Sequence, residues 1–333
     1  MRLPPILASE PGVESTTSVP LTGQDRVRTL ISNYAILLVF GFLLASGTVV
    51  SSDFFSVDNF ENILRSVAWT GFAALGMLFV TTSGGFVDLS VPATMASSGI
   101  IALATVPVLG PVGGFVAGVG SGLAIGFFNG LLIGLFRTNP VITTLGTQFA
   151  ALGIAQIFVE GRIVYNESET FAQIAQGELI PFVPNVLLIL ALVSLLAHLV
   201  LTNSVLGRWI YPTGGNYRAA RAAGVPVRRV MVSVFTICGM FAALGGVLLA
   251  SELESARANA GVGMEFNAVA AIAIGGNSIF GGAGTVPRML MGVLIVGVLN
   301  NLMILMGVPA ESQTIVKGAL IVAAVWLDLR LRR

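Results

Sequence analysis

The chain has 333 residues, of which 17 are Lys or Arg and 16 are Asp or Glu, so charged side chains make up 10% where a soluble domain carries about 25%. With 55% hydrophobic residues and a mean hydropathy of +0.91, the composition argues against a soluble domain, a nucleic-acid binder or a disordered chain. The single cysteine, Cys238, excludes an intrachain disulfide and a cysteine-based metal cluster.

Residues 1–25 are rich in Pro, Ser and Thr and contain no apolar stretch long enough for a signal-peptide core. Residues 1–28 therefore read as a mobile cytoplasmic tail, ahead of a membrane domain over 29–328 and a basic tail over 329–333. From there the charges act as rulers. A hydrocarbon core about 30 Å thick needs about 20 apolar helical residues. Between Arg28 and Asp53 lie 24 uncharged residues. The gaps from Arg65 to Asp88, Arg137 to Glu160, Arg229 to Glu252, Glu265 to Arg288 and Arg288 to Glu311 hold 22 each, or about 33 Å of helix at 1.5 Å per residue. Glu178 to Arg208 encloses 29 residues, and Asp88 to Arg137 encloses 48, enough for two spans folded at Pro107–Pro111. A tenth span covers 312–327, interrupted by Lys317. The expected fold is all-α and polytopic, with about ten transmembrane helices.

The arginines set the orientation. With both termini cytoplasmic, 13 basic residues fall inside and 4 outside, while 5 acids fall inside and 11 outside. The near-zero net charge of +1 then conceals about +8 inside against −7 outside, as the positive-inside rule expects. The external acids include Asp53, Asp58, Glu61, Glu167, Glu169, Glu252 and Glu254. A docking partner there is expected to be basic, although loops that avoid positive charge for topology would look the same. The longest external loop carries residues 171–179, which suit a short surface helix.

Polar groups inside a membrane are functional candidates, though helix packing uses them too. Asp88 stands in a glycine-rich, proline-broken stretch with Ser90, and reads either as a pathway residue or as a cap for the helix that follows. Asn129, Asn139, Asn267, Asn300 and Asn301 suit hydrogen bonds to the hydroxyls of a passing solute, or bonds to neighbouring helices. Glycines at 118, 122, 126, 130 and 134 form a small-residue ridge, whose default meaning is close helix packing. No G-x-x-x-x-G-K loop surrounds Lys317, the only lysine, so ATP hydrolysis is not expected of this chain. One His and one Cys cannot build a metal site, and no catalytic residues are assigned.

The longest cytoplasmic segment contains residues 213–230, TGGNYRAARAAGVPVRRV. Asn216 suits an N-cap, residues 217–223 a two-turn helix, Gly224 the left-handed position after it, and Pro226 a stop. Topology alone asks for basic residues here, but not for a capped helix.

Residues 206–230 resemble the permease subunits of bacterial ATP-binding-cassette importers for monosaccharides of the ribose, xylose and galactose type, where G-G-N and A-A precede a glycine and a basic cluster. The resemblance extends in order to residues 54–64, 88–91, 139–147, 263–285, 294–308 and 315–325. It implies a sugar permease of the inner membrane that pairs with a second permease copy or paralogue, two cytoplasmic ATPase subunits and an external sugar-binding protein. ATP and Mg would sit on the ATPase, with no cofactor on this chain. It also implies that a helix within about 214–229 couples to the ATPase through Gly215, Asn216, Arg218, Arg221, Gly224, Arg228 and Arg229. Two departures stand out: one extra residue before Asp88 with Pro92 where the family has Gly, and Pro287, Arg288 and Met289 where a Gly-Thr pair is common. The rival reading is an ion-coupled secondary transporter. Such proteins carry a titratable carboxylate near the midplane, whereas every acid here falls near a span end.

Overall fold

The computed structural model describes residues 23–181 and 183–331. It falls into two units, residues 1–35 and 36–333. Of the first, residues 23–35 form the opening of helix α1 (Gly23–Val50); residues 1–22 of the expected tail lie outside the described residues, as do Arg332 and Arg333.

In the second unit Ser51 and Ser56 cap successive elements. The Ser51 hydroxyl accepts the Asp53 N–H ahead of a 3-10 turn (Ser52–Phe55), and the Ser56 hydroxyl accepts the Asn59 N–H ahead of α2 (Val57–Thr82). From Val67 onward α2 is buried on every side, as a helix apolar all round must be. The run α3 (Val91–Gly134) is reversed at Gly110, whose φ of 73° and ψ of 175° lie outside the helical region. The flanking Pro107 and Pro111 make this the predicted fold of two spans. Gly114 and Gly118 of the second arm pack back against Ala102 and Ser98 of the first.

After α3 come α4 (Pro140–Phe158), β1 (Val164–Tyr165) and α5 (Glu169–Gln176), which is the expected surface helix. The chain continues through α6 (Asn185–Asn203), α7 (Val205–Gly215), α8 (Tyr217–Ala222) and α9 (Val227–Leu253). Strand β2 (Ser255–Ala256) pairs antiparallel with β1, and α10 (Met264–Ile274), α11 (Val286–Leu305) and α12 (Ala310–Leu331) close the chain. The glycine ridge explains why α3 and α9 are so intimate. Gly122 and Gly126 face Gly239, Gly130 faces Val232, and Gly134 meets the Arg228 carbonyl, so two backbones touch where side chains would hold them apart.

Among the described residues α2, α3, α4, α6, α9 and α11 are long and apolar enough to cross a membrane. Residues 36–50 of α1 and α10 are apolar but shorter. One expectation needs correction. The gap from Glu265 to Arg288 predicts a full span, yet α10 has only 11 residues, about 16 Å of helix. Gly275 and Gly276 end it, the latter at φ 73°, and the chain runs irregularly to Thr285. An uncharged gap measures depth; it does not guarantee that one helix fills it.

Candidate functional site

The arginine-rich segment is built by successive caps. The Ser204 hydroxyl accepts the Gly207 N–H at 3.1 Å to start α7. Asn216 ends α7 by donating its N–H to the Pro212 carbonyl at 3.0 Å, and its Oδ1 accepts the Ala219 N–H at 3.0 Å to start α8. At the far end Gly224 takes φ 83°, while its N–H bonds to the Arg221 carbonyl and the Val225 N–H to the Ala220 carbonyl. That double closure is what a left-handed glycine permits. Only Ala220 of α8 is buried; Asn216, Arg218, Arg221, Gly224, Arg228 and Arg229 are all exposed. The predicted helix is therefore present between the predicted caps. The sequence did not show that the segment before it is itself a helix, α7, running through Pro212 to Gly215.

Beneath α8 three backbone segments meet: the end of α2, the end of α7 and the loop before α11. The Gly282 N–H donates to the Thr82 carbonyl at 2.9 Å. A Cβ on Gly214 would overlap the Thr82 carbonyl oxygen and stand 2.5 Å from the Gly282 nitrogen. On Gly281 it would lie 2.7 Å from the Gly214 carbonyl oxygen and 2.9 Å from Gly84 Cα. The Tyr211 hydroxyl donates to the Gly284 carbonyl at 2.7 Å, binding α7 to the same loop. Gly84, Gly281 and Gly282 also have positive φ, so glycine is required there for conformation as well as for space. This junction joins the end of α7, just ahead of α8, to two helix connections, α2 to α3 and α10 to α11. Glycine pairs at 84–85, 214–215 and 281–282 were the available signal, and sequence reasoning passed over them.

Asp88 is 1% exposed. Its Oδ1 accepts the Ser90 N–H at 2.9 Å and the Ser90 hydroxyl at 2.6 Å, so it ties off the turn leading into α3. The chain of bonds continues: Asn129 Nδ2 donates to Ser90 Oγ at 2.9 Å, and the Thr147 hydroxyl donates to Asn129 Oδ1 at 2.6 Å. The Leu89 N–H donates to Thr144 Oγ1 at 3.1 Å, and the Cys238 thiol lies against Asp88. The structure thus unites Asp88, Ser90 and Asn129, and adds Thr144, Thr147 and Cys238. The remaining pathway candidates lie apart from this network. Asn139 caps α4, its Oδ1 accepting the Val141 and Ile142 N–H groups. Asn267 and Asn300, on α10 and α11, are buried with unpaired amide oxygens. Asn301 exchanges hydrogen bonds with Asn59 at 2.6 and 3.1 Å.

Thr147 also faces a groove of about 810 Å³ between α3 and α4, in which the hydroxyls of Ser97, Ser121 and Thr143 punctuate an apolar lining. At the opposite end from α8, Arg65 pairs with Glu252. There the Ser251 hydroxyl donates to the Phe171 carbonyl at 2.6 Å and accepts the Ala175 N–H at 3.2 Å, pinning α5 to the end of α9.

Six apolar helices of membrane length and two shorter apolar ones among the described residues define a multi-pass membrane protein. The chain belongs to the permease family described as "Branched-chain amino acid transport system / permease component", whose model matches residues 59–325. It is 35% identical over 291 residues to the ribose import permease protein RbsC of Haemophilus influenzae, covering 86% of this chain and 90% of that one. Against the RbsC of Bacillus subtilis the identity is 37% over 285 residues, covering 84% and 88%. The L-arabinose ABC transporter permease protein AraH of Azospirillum brasilense is 33% identical over 318 residues, covering 93% and 91%. No solved structure matches.

Proposed function

We propose that this chain is the membrane-spanning subunit of an ATP-driven importer that passes a monosaccharide, a ribose-like pentose or a hexose, across the inner membrane. The names of the ribose and L-arabinose relatives support the cargo class. The observation that carries the reading is the position of α8: a doubly capped, exposed helix that follows a glycine junction gripping the α2–α3 and α10–α11 connections. In this reading the termini and α8 are cytoplasmic, and α8 docks on an ATPase subunit that holds ATP and Mg. Gly215, Asn216, Arg218, Arg221, Gly224, Arg228 and Arg229 form or shape that contact. ATP-driven movement of α8 enters the membrane through Gly214 and reaches the end of α2 and the loop before α11 together, because Thr82, Gly214 and Gly281 leave no slack between them.

A second permease copy or paralogue covers the exposed apolar face of α4, closing the groove into a path whose hydroxyls exchange hydrogen bonds with a sugar. An external binding protein delivers the cargo to the acidic end. Asp88, Ser90 and Asn129 then act by holding Thr147 at the groove. Weak, serial hydroxyl contacts suit a cargo that must leave as readily as it enters.

The test is uptake of labelled ribose, L-arabinose and xylose into vesicles containing this chain, with its ATPase subunit active or inactivated in the Walker lysine. Uptake that needs the active ATPase supports the proposal. Uptake driven by an ion gradient alone overturns it in favour of a secondary transporter.

A further inference from the structure

Between α8 and the first turn of α9 lies a cavity of about 400 Å³, walled by Tyr217 and Arg221 on one side and Arg228 and Arg229 on the other, over residues 225–227. Tyr217 and Arg221 are one helical turn apart and so share a face; Arg218 is not part of the lining. Three guanidinium groups around one cavity repel each other unless something negative lies between them. Among the described residues no acid is paired with them. Neither ion pair among the described residues involves these arginines, and no Asp or Glu occurs anywhere from residue 179 to 251. The start of α9 adds to the imbalance. Pro226 precedes it without a side-chain cap and its first turn has no acid, so two arginines stand at the positive end of the helix dipole.

The level of the cavity identifies the missing anion. Arg228 and Arg229 directly precede an uncharged run of 22 residues in a helix apolar enough to cross a membrane. The cavity is therefore at the boundary where lipid phosphates lie. Basic pockets at that level on the cytoplasmic side receive anionic headgroups, and arginine binds phosphate oxygens in a forked, two-point geometry. We propose that Tyr217, Arg221, Arg228 and Arg229 form a binding site for the phosphate of an anionic phospholipid, of the phosphatidylglycerol class. The lipid fills the angle between α8 and α9 and braces the proposed coupling helix against the membrane. Arg218, outside the cavity lining, is left to touch the ATPase subunit directly, while Arg221, Arg228 and Arg229 shape that proposed contact through the lipid they hold.

The site is tested on the purified permease without its ATPase, so the outcome does not depend on the proposed coupling. Phosphatidylglycerol is titrated onto the wild-type chain and onto the R221Q/R228Q/R229Q variant, and bound lipid is counted by native mass spectrometry. The variant is expected to bind roughly 100-fold more weakly, while R218Q binds as wild type does and R221K/R228K/R229K recovers part of the affinity. Melting temperatures in detergent show whether each variant is folded, and the lysine variant keeps the test open if the glutamine one is not. Equal binding by the wild type and a folded glutamine variant overturns the proposal. So does displacement of the lipid by equimolar inorganic phosphate, which would mark a free-anion site. In a separate pull-down with the ATPase subunit, lost capture by a glutamine variant that still binds lipid as the wild type does also overturns it, assigning the cavity to that protein.

Discussion

Gly214 lies so close to Thr82 that a single methyl group on the glycine would occupy the carbonyl oxygen of the threonine. That oxygen is already committed to the Gly282 N–H at 2.9 Å, so it cannot swing aside without breaking the bond that joins two distant segments. Gly214→Ala is therefore expected to destabilise the fold by about 1–3 kcal/mol through overpacking. If the chain works with an ATPase as proposed, the substitution is also expected to uncouple ATP hydrolysis from uptake. Gly120→Ala is the matched control, since a Cβ there also meets nothing within 4 Å and the residue lies outside the proposed ATPase contact. Melting temperature in detergent and stimulation of ATPase activity by loaded binding protein are the two readouts. Equal behaviour of the two variants would show that the junction is loose.

Tyr211 tests the same junction without adding atoms. Its hydroxyl is bonded to the Gly284 carbonyl at 2.7 Å, and Tyr211→Phe removes only that bond. A loss of about 0.5–1.5 kcal/mol in stability follows. If α7 transmits movement to the loop before α11, substrate-stimulated ATPase activity falls further than this modest destabilisation predicts. A parallel fall in both would make Tyr211 a packing residue.

The Asp88 network predicts strong coupling between neighbours. Ser90 Oγ donates to Asp88 and accepts from Asn129, so each bond polarises the next. Asn129→Ala strands Thr147 and removes a donor from Ser90, at a cost of about 1–3 kcal/mol for buried groups left unpaired. Combined with Ser90→Ala, the loss should be smaller than the sum of the two single losses. Additive losses, measured by unfolding of the purified protein, would show that the bonds act independently.

How much of this was legible follows from range along the chain. The charge gaps, the turn at Gly110 between two prolines and the caps at Asn216 and Gly224 are local, with cause and effect within a few residues. The glycine ridge was legible as an interface, but nothing in the spacing named α9 as its partner. The junction of Gly84, Gly214 and Gly281 joins positions more than 100 residues apart in part, and a glycine pair looks the same whether it ends a helix or touches another backbone. Asp88 was visible as unusual; its bonds go to Ser90 in the turn before α3, and α3 itself carries no side-chain cap. Its links to Asn129 and Thr147 could not be read, because single polar residues in apolar helices carry no register with one another. The half-length of α10 was hidden for a similar reason: irregular chain without charge has the composition of a span.

Asn59 and Asn301 join α2 to α11 by two reciprocal amide bonds in a buried setting, with Asn59 Nδ2 donating also to the Phe54 carbonyl at 2.8 Å. Asn301→Leu is expected to cost about 1–3 kcal/mol, because it leaves a buried amide oxygen unpaired. Changing both residues to leucine removes the need for pairing and should recover much of that loss, less the bond to Phe54. A double variant worse than the sum of the singles would show that the amides serve something other than each other.

The acidic end makes a prediction about the partner protein. Glu252 is committed to Arg65, tying α2 to α9, and Glu254 accepts the Gln176 amide at 3.0 Å, which helps to hold α5 in place. Glu167, just before α5, and Glu169, its first residue, are exposed, so their field is available to an approaching molecule. If the external binding protein docks there with a basic surface, reversing both to lysine should slow association by roughly an order of magnitude at low salt and flatten its dependence on ionic strength. Stability should hardly change, since surface charges away from packed groups shift it by only about 0.5 kcal/mol. Binding kinetics measured on permease in nanodiscs over a salt series decide the matter. Unaltered association with an unaltered salt slope would mean that the acids only keep positive charge off the outer loops.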